Sequence, residues 1–307
     1  MITNLDPRSQ LFMSEIERAQ QRVAEAQQQI SSGKRVSVAS DDPDVVSSLL
    51  RLRAALERNT QVQTNLATAQ SAANVADNTL TNALKVLDRA LTLAAQAATG
   101  TQTAAGRLTF VDEVEALEEQ MVTFSQTQSG GSYIFSGDQD TQPAYQLNLA
   151  NPNGVDRLLT ASATRLVDNP GGGSFVPSKT AQDIFDHRNL DDSLAPDNAF
   201  AALNNLRLAL MNNEVPGIIT AINSIKLASD RVNTCQAFYG AVQNRIQDAI
   251  TLARQNEVQL RSEISQKQDA DVIAASLELN TGNMQIQAAL QMKGNLPRAS
   301  LFDFISR

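Results

Sequence analysis

The sequence VQTNLATAQSAANVADNTLTNALKVLDRALTLA, residues 62–94, carries the clearest signal of structure in the chain. Apolar residues recur in it at alternating steps of four and three, the spacing of a narrow stripe on a helix packed against partner helices. The members of this stripe are Val62, Leu66, Ala69, Ala73, Ala76, Leu80, Ala83, Leu87, Ala90 and Ala94. Continued in both directions, the pattern predicts a helix from Asp44 to Thr99, roughly 85 Å long at about 1.5 Å per residue. Such a rod does not suit a compact enzyme core, so it must be sheathed by other helices or by copies of itself.

Two further apolar stripes lie towards the ends of the chain, in residues 12–30 and about 260–293. Both predict helices, yet neither has a neighbouring segment in the sequence that could bury its stripe. Isolated helices of this length are only marginally stable in water. We therefore expect the two helices to pack on each other and on neighbouring molecules, and to be mobile in the monomer and ordered on assembly. The side chains expected at this interface are Phe12, Ile16, Val23, Ile30, Val272, Leu279 and Ile286.

Local signals delimit the helices. Gly33 is placed to end the first helix in a left-handed conformation. Asp42 followed by Pro43 is a strong start for the long helix, because Asp can cap it and Pro suits its first turn. Since capping accounts for these carboxylates, we do not interpret them as catalytic. Further stripes predict a helix on Phe110–Phe124 antiparallel to the first rod, a short helix on Phe200–Leu210, and a second rod from Pro216, with its regular stripe reaching Ala253.

The middle of the chain, from Gln139 to about Asn198, has a different character, with most of the prolines and only weak alternation. Residues 132–137 predict a short strand and residues 155–167 one or two more. The glycine triplet 171–173 predicts a flexible turn rather than an anion-binding loop. We interpret this segment as a small, loop-rich β insert projecting from the helical body, with its scattered aspartates, Asp186 among them, on the surface.

The amino-acid composition argues against several classes of function. Acidic residues (33) outnumber basic ones (25), giving a formal charge of −8, which argues against a nucleic-acid partner. Cys235 is the single cysteine and His187 the single histidine, so no internal disulfide or Cys/His metal spacing is available. We expect a buried apolar role for Cys235 and a structural or surface role for His187. No run approaches the roughly 18 apolar residues that a membrane-spanning helix needs. The first twenty residues lack the pattern of a secretory signal peptide.

The predicted fold class is mainly α, with long antiparallel helical rods from both termini forming a coiled-coil bundle around a small β-containing insert. Aromatic residues make up only 4% of the chain, which suits close-packed helices better than a ligand pocket. We accordingly expect no cofactor, no metal, no membrane insertion and no enzymatic activity. The predicted regions are an N-terminal axial helix (1–42), the two parts of a helical rod domain (43–129 and 199–255), the β insert (130–198) and a C-terminal axial helix (256–307).

Three motifs in this order resemble the bacterial flagellin family. Gln29–Val36 followed by Ala39–Pro43 is similar to the family's N-terminal signature. Gly240–Arg245 is similar to its C-terminal helical signature, and Asp269–Asp271 to the acidic step before its last helix. Two further features look more like the member at the hook–filament junction than like the filament protein. They are residues 133–137, followed by Pro143, and the apolar cluster at residues 300–305.

The resemblance implies an axial structural protein of the flagellum, exported unfolded through the flagellar type III secretion route without a cleaved signal peptide and located outside the cell. It implies polymerisation with copies of itself and with other axial proteins (hook-associated protein and flagellin), the paired terminal helices lining the inner tube. It also implies a cytoplasmic export chaperone that masks apolar C-terminal helices before assembly. The side chains expected to serve this chaperone lie in the stripe of residues 272–290 and at Leu301, Phe302 and Phe304.

Three alternatives stay open. The first is filament flagellin itself, which shares the same helical plan. The second is a soluble coiled-coil signalling or scaffold protein, which shares the long seams but does not predict a β insert or an apolar C-terminal cluster. The third is an enzyme housed in residues 130–198. That segment contains several aspartates, but a catalytic site requires convergent groups and none is visible there.

Overall fold

The computed structural model describes residues 7–38, 40–163 and 165–294 and is mainly helical, as predicted. Its helices are α1 (Pro7–Ser32), α2 (Pro43–Ala97), α3 (Ala104–Ser125), α4 (Ala181–Ile184), α5 (Ala199–Met211), α6 (Val215–Gln268) and α7 (Val272–Gly294). Its strands are β1 (Gln128–Ser129), β2 (Ser132–Tyr133), β3 (Tyr145–Leu147), β4 (Val155–Arg157), β5 (Val167–Asp168) and β6 (Ser174–Phe175). The chain divides into two compact units, residues 59–256 and the segments up to 58 and from 257 onwards.

The predicted end of α1 at Gly33 and the predicted start of α2 after Asp42 are confirmed. Gly33 follows α1 with φ of +68°, the left-handed region that glycine adopts without steric cost. At the start of α2, the Asp42 carboxylate accepts a hydrogen bond from the Val45 backbone amide at 3.2 Å. The neighbouring Asp41 accepts from the backbone amides of Ser37 and Val38, and these bonds lower the pKa of its carboxyl group. Both carboxylates therefore serve the backbone at the start of the long helix.

In the unit of residues 59–256, α2 lies antiparallel to α3 and to α6. Near one end, Arg107 Nε of α3 donates to the carbonyl oxygen of Ala97 at 2.8 Å. Towards the other end, Asn59 Nδ2 donates to the carbonyl oxygen of Ala253 on α6 at 2.8 Å. The stripe that predicted α2 is buried in this bundle, with Leu80, Ala83, Leu87, Ala90 and Ala94 fully buried. Helix α6 extends beyond Ala253, where its apolar stripe stops, to Gln268.

The segment between α3 and α5 contains three two-stranded antiparallel hairpins, β1–β2, β3–β4 and β5–β6. The glycine triplet forms the turn of the third hairpin, as predicted, with φ of +102° at Gly172 and +77° at Gly173. The strand predicted at residues 132–137 is shorter than expected, since only Ser132 and Tyr133 pair with β1.

We expected this segment to project from the helical body; instead, its largest side chains belong to the core of the helical unit. The ring of Phe135 lies 5.8 Å from that of Phe185 and 6.5 Å from that of Tyr239 on α6. The ring of Tyr145 lies 5.2 Å from that of Phe200 on α5. Aromatic side chains bury large areas, so these contacts fasten the hairpins onto the helices.

Candidate assembly surface

The two terminal stripes pack on each other, as predicted, within the unit formed by residues up to 58 and from 257. Helices α1 and α7 run antiparallel. Phe12 and Ile16 share a groove with Ile286, near the start of α1 and the end of α7. At the opposite end of the pair, Ala26 lies near Ala275.

Small residues occupy the seam of this pair. Ala19, Ala26 and Ala275 are buried, with 3–5% of their surface exposed. A Cβ atom added at Gly282 would lie 2.5 Å from Val23 Cγ2, a separation that real Cβ atoms do not adopt. The distance between packed helices depends on the side chains at the contact. Glycine at position 282 therefore permits a close approach of α7 to α1.

The predicted interface residues are gathered on this pair, but they are not enclosed by it. Phe12, Ile16, Val23, Ile30, Leu279 and Ile286 are each half-buried. Val272 is 47% exposed. Leu301, Phe302 and Phe304 lie outside the described residues. Packing of α1 on α7 buries part of the apolar surface of each stripe and leaves the rest accessible to solvent. The same side chains are therefore available for further contacts.

Helix α7 carries a second apolar stripe, distinct from the one that contains Val272, Leu279 and Ile286. Ile273, Leu277 and Met284 are 84%, 68% and 69% exposed. At about 100° per residue they fall within roughly 40° of one another, on the side of α7 opposite Gly282. A helix that is apolar all round is normally buried on all sides. This exposed face of α7 is therefore the strongest candidate for a surface that is buried by assembly.

The corresponding outer face of α1 is polar. Glu17, Gln21, Glu25 and Gln28 are exposed there. Between residues 272 and 292, helix α7 has a single charged side chain, Glu278, which forms an ion pair with Arg22 of α1 at 3.5 Å. The whole chain has a net charge of −8, but the exposed apolar face of α7 carries almost no charge. Electrostatic repulsion between two copies is therefore weak at this face.

The single histidine and the single cysteine of the chain have structural surroundings. His187 Nδ1 lies 2.6 Å from a carboxylate oxygen of Asp197. Cys235 is buried, as predicted, and burial raises the pKa of its thiol, so it is not an activated nucleophile. Within residues 7–38, 40–163 and 165–294, the structure holds no group of three His, Cys, Asp or Glu side chains arranged for a metal ion. In the same ranges no helix has the length and apolarity to cross a membrane.

A buried polar cluster joins the hairpin segment to α5, and the sequence did not reveal it. Our interpretation of Asp186 as a surface residue is wrong, because it is fully buried. Its carboxylate accepts hydrogen bonds from Tyr145 Oη at 3.0 Å, Asn198 Nδ2 at 2.7 Å and Arg188 Nε at 2.8 Å. Buried charges require such partners. The cluster therefore orients the segment on the helices rather than performing chemistry.

A second buried carboxyl group, Glu118 of α3, is less well satisfied. Burial raises its pKa to about 8, against the opposing charge of Arg207, whose Nε lies 3.8 Å from a carboxylate oxygen. Within the described part of the chain neither oxygen has a hydrogen-bond partner. Arg207 is itself held by Asn204 Oδ1 and the Leu149 carbonyl oxygen, so it is not free to approach Glu118 further.

Known proteins share this architecture. The chain is 22% identical over 290 residues to flagellar hook-associated protein 3 of Escherichia coli K12, covering 90% of each chain. It is 24% identical over 276 residues to the flagellin of Bacillus subtilis 168, covering 86% of each. It is 25% identical over 176 residues, 57% of its length, to polar flagellin A of Vibrio parahaemolyticus, and spans only 45% of that relative.

Solved structures extend the likeness to the fold. A flagellar hook-associated protein structure from Vibrio parahaemolyticus superposes with a TM-score of 0.63 at 18% identity, over 75% of this chain and all of the other. Flagellar hook-associated protein 3 of Legionella pneumophila gives a TM-score of 0.58 at 15% identity, over 70% of this chain and 98% of the other.

The models of the bacterial flagellin N-terminal and C-terminal helical regions match residues 6–140 and 222–305. These ranges cover more than two thirds of the chain and include α1, α2, α3 and α7, the helices that build the terminal pair and part of the bundle. With both helical regions matched in order and folded against each other at their ends, the chain belongs to the bacterial flagellin family.

Proposed function

We propose that this protein is a structural subunit of the bacterial flagellum that polymerises at the junction of hook and filament. The observation that carries the proposal is the α1–α7 pair, in which α7 buries one apolar face and exposes another. The exposed side chains Ile273, Leu277 and Met284 form a contiguous apolar stripe, which in soluble proteins marks an interaction surface. An assembly of many copies would bury this stripe.

The relatives support the choice of the junction. The match to a flagellar hook-associated protein 3 over 90% of each chain and the fold shared with proteins of that name favour this role over others within the family. Copies of the same chain, hook-associated protein and flagellin are the partners we propose, with the assembled protein outside the cell. On this proposal the chain has no catalytic role, and its buried carboxylates serve the fold.

Filament flagellin is the second candidate. The match to the Bacillus subtilis flagellin over 86% of each chain favours it specifically. The soluble signalling scaffold is not retained, because it predicts neither the three hairpins nor membership of this family. An enzyme in residues 130–198 is not retained either, since Asp186 is held by structural partners and His187 by Asp197.

Immunolabelling of intact flagella separates the two candidates. An antibody against the native chain should label a single short zone next to the hook if the protein occupies the junction. Label along the whole length would instead establish the filament role. Absence of label from flagella would exclude both the junction role and the filament role. A strain lacking the gene provides the control for antibody specificity.

Export is the second part of the proposal. We infer that the chain leaves the cell through the flagellar secretion route and that a cytoplasmic chaperone first holds its C-terminal segment. The apolar residues of α7 and the cluster of Leu301, Phe302 and Phe304 would supply the contact. Calorimetric titration of the flagellar export chaperone into the full chain and into a Leu301→Ser/Phe302→Ser/Phe304→Ser variant tests this. Equal affinities would remove the cluster from the proposal.

A further inference from the structure

The connection between α1 and α2 and the connection between α6 and α7 are hydrogen-bonded to each other. The backbone amide of Arg35 donates to the carbonyl oxygen of Gln268 at 2.7 Å, and the amide of Ala270 donates to the carbonyl oxygen of Gly33 at 3.0 Å. Lys34 and Asp269 face each other as an antiparallel bridge between these bonds. More than 230 residues separate the two connections in the sequence.

Side chains close the same site. Arg35 Nη2 donates to the carbonyl oxygen of Lys267 at 3.0 Å. Arg53 Nη2, on α2, donates to Gln268 Oε1 at 3.0 Å. Gln268 is only 6% exposed, and Val36 beside it only 4%. The carbonyl group of Gln268 thus lies in a buried residue, whereas Gly33, Lys34, Arg35 and Asp269 around it are exposed. Both connections lie within one compact unit.

Helix ends leave backbone groups without partners inside the helix, and these groups normally bond to caps or to water. Here the carbonyl oxygen of Gln268, the last residue of α6, accepts a hydrogen bond from the connection that follows α1. The carbonyl oxygen of Gly33, which follows α1, accepts one from Ala270 in the connection between α6 and α7. Leaving a buried donor or acceptor unsatisfied costs about 1–3 kcal/mol. Neither connection can therefore leave its conformation without breaking the hydrogen bonds that hold the other, and one of these bonds involves the buried residue Gln268.

We propose that residues 33–36 and 267–270 form a single joint through which α1 and α7 become ordered, or lose order, as one cooperative unit. This inference does not depend on the flagellar role, since it concerns the isolated chain. The joint also positions the helices lengthwise. It holds the start of α7 beside the end of α1, and so places Gly282, roughly 18 Å further along α7, against Ala19 and Val23. A lengthwise shift of α7 would bring a residue with a Cβ atom to that contact.

Amide hydrogen exchange on the purified full-length chain tests the joint. The variant Arg35→Ala removes the bond to Lys267 and the ion pair with Asp42. We expect exchange to accelerate by about fivefold or more in both residues 10–30 and residues 272–292. The matched control is Arg18→Ala, because Arg18 is an exposed α1 residue whose ion pair with Glu15 is local. This control should leave both helices unchanged.

A second variant acts in the opposite direction and covers the case in which both helices already exchange rapidly. Facing residues of an antiparallel pair have Cα separations that suit a disulfide. In Lys34→Cys/Asp269→Cys, oxidation should slow exchange in both helices, and reductant should reverse the effect. The buried Cys235 does not compete for the bridge. Acceleration by Arg35→Ala in one helix only, or an oxidised bridge that slows neither helix or only one, would overturn the proposal.

Discussion

At the scale of single residues, Gly282 shows how one missing side chain sets the approach of two helices. A Cβ atom there would meet Val23 Cγ2 at 2.5 Å and the Ala19 carbonyl oxygen at 3.7 Å. Glycine is otherwise unfavourable inside a helix by about 1 kcal/mol relative to alanine. Its presence in the middle of α7 is therefore explained by packing rather than by helix formation.

We expect Gly282→Ala to weaken the α1–α7 pair by roughly 1–3 kcal/mol, because the added methyl group overpacks the seam. Amide exchange in residues 10–30 of the assembled protein should accelerate. Val23→Ala in the same chain should restore part of the loss by making room. The control is Gly240→Ala in α6, where an added Cβ meets nothing within 4 Å. An unchanged exchange rate in Gly282→Ala would contradict the close contact.

Glu118 leads to a prediction about pH. Its pKa is raised to about 8 in the folded protein, against an ordinary value of 4.5. Between these values the folded state keeps a proton that the unfolded chain releases. The free energy of unfolding should therefore fall as pH rises from 4.5 to 8, with a slope of up to about 1.4 kcal/mol per pH unit. Burial is the main cause; Arg207 opposes it and Glu115 adds to it.

Urea unfolding followed by tyrosine fluorescence measures this slope, because all three tyrosines lie within residues 59–256, as Glu118 does. In Glu118→Gln the slope contributed by this carboxyl group should disappear. The matched control is Glu119→Gln at the adjacent exposed position, which should keep the slope of the unmodified protein. Identical pH profiles for Glu118→Gln and the unmodified protein would contradict a protonated buried carboxyl group.

At the scale of elements, α7 differs from the other long helices because both of its opposite faces are apolar. One face contains Ala275 and Gly282 against α1, and the other exposes Ile273, Leu277 and Met284. By contrast, α2 and α6 bury their stripes within residues 59–256, in the shared core of that unit. The two faces of α7 differ in side-chain size. The small residues on one face allow α7 to approach α1 closely, and the large exposed residues on the other face are available for other contacts.

We predict that Leu277→Gln/Met284→Gln prevents polymerisation without unfolding the monomer. Exposed substitutions usually change the free energy of unfolding by no more than about 0.5 kcal/mol, whereas an interface loses the burial of two large side chains. Analytical sedimentation of concentrated protein gives the assembly state, and circular dichroism gives the helix content. Gln21→Ala/Gln28→Ala on the polar face of α1 is the control and should polymerise normally. Polymerisation of both variants would exclude the exposed face of α7 as an assembly surface.

At the scale of the whole molecule, the two compact units differ in how completely they bury their apolar helix stripes. Residues 59–256 contain a shared core of helices, hairpins and aromatic side chains. In the other unit, the stripe residues Phe12, Ile16, Val23 and Ile30 of α1 remain half-buried, and several large side chains of α7 are exposed. Regions with little buried apolar contact open at low free-energy cost.

We therefore expect the ends of the monomer to be mobile and to become ordered on assembly. In dilute solution, amides of residues 10–30 and 272–292 should exchange rapidly, while those in the core of residues 59–256 should be protected. Polymerisation should slow exchange at both ends by at least about tenfold. Strong protection of residues 10–30 in the dilute monomer would contradict this expectation. The five-region division of the chain is a related prediction, which limited proteolysis at the region boundaries would test.

The sequence alone determined the helical rods and the caps at Gly33 and Asp42, because periodicity and capping depend on residues a few positions apart. It also indicated the family, through short motifs that can be recognised without any tertiary contact. Only the tertiary structure decided that Asp186 is buried, that the hairpins belong to the core, that Gly282 meets Val23, and that residues 33–36 bond to residues 267–270. Each of these depends on partners far apart in the chain. Local spacing encodes which residues share a helix face, but it does not encode which distant element covers that face or leaves it exposed.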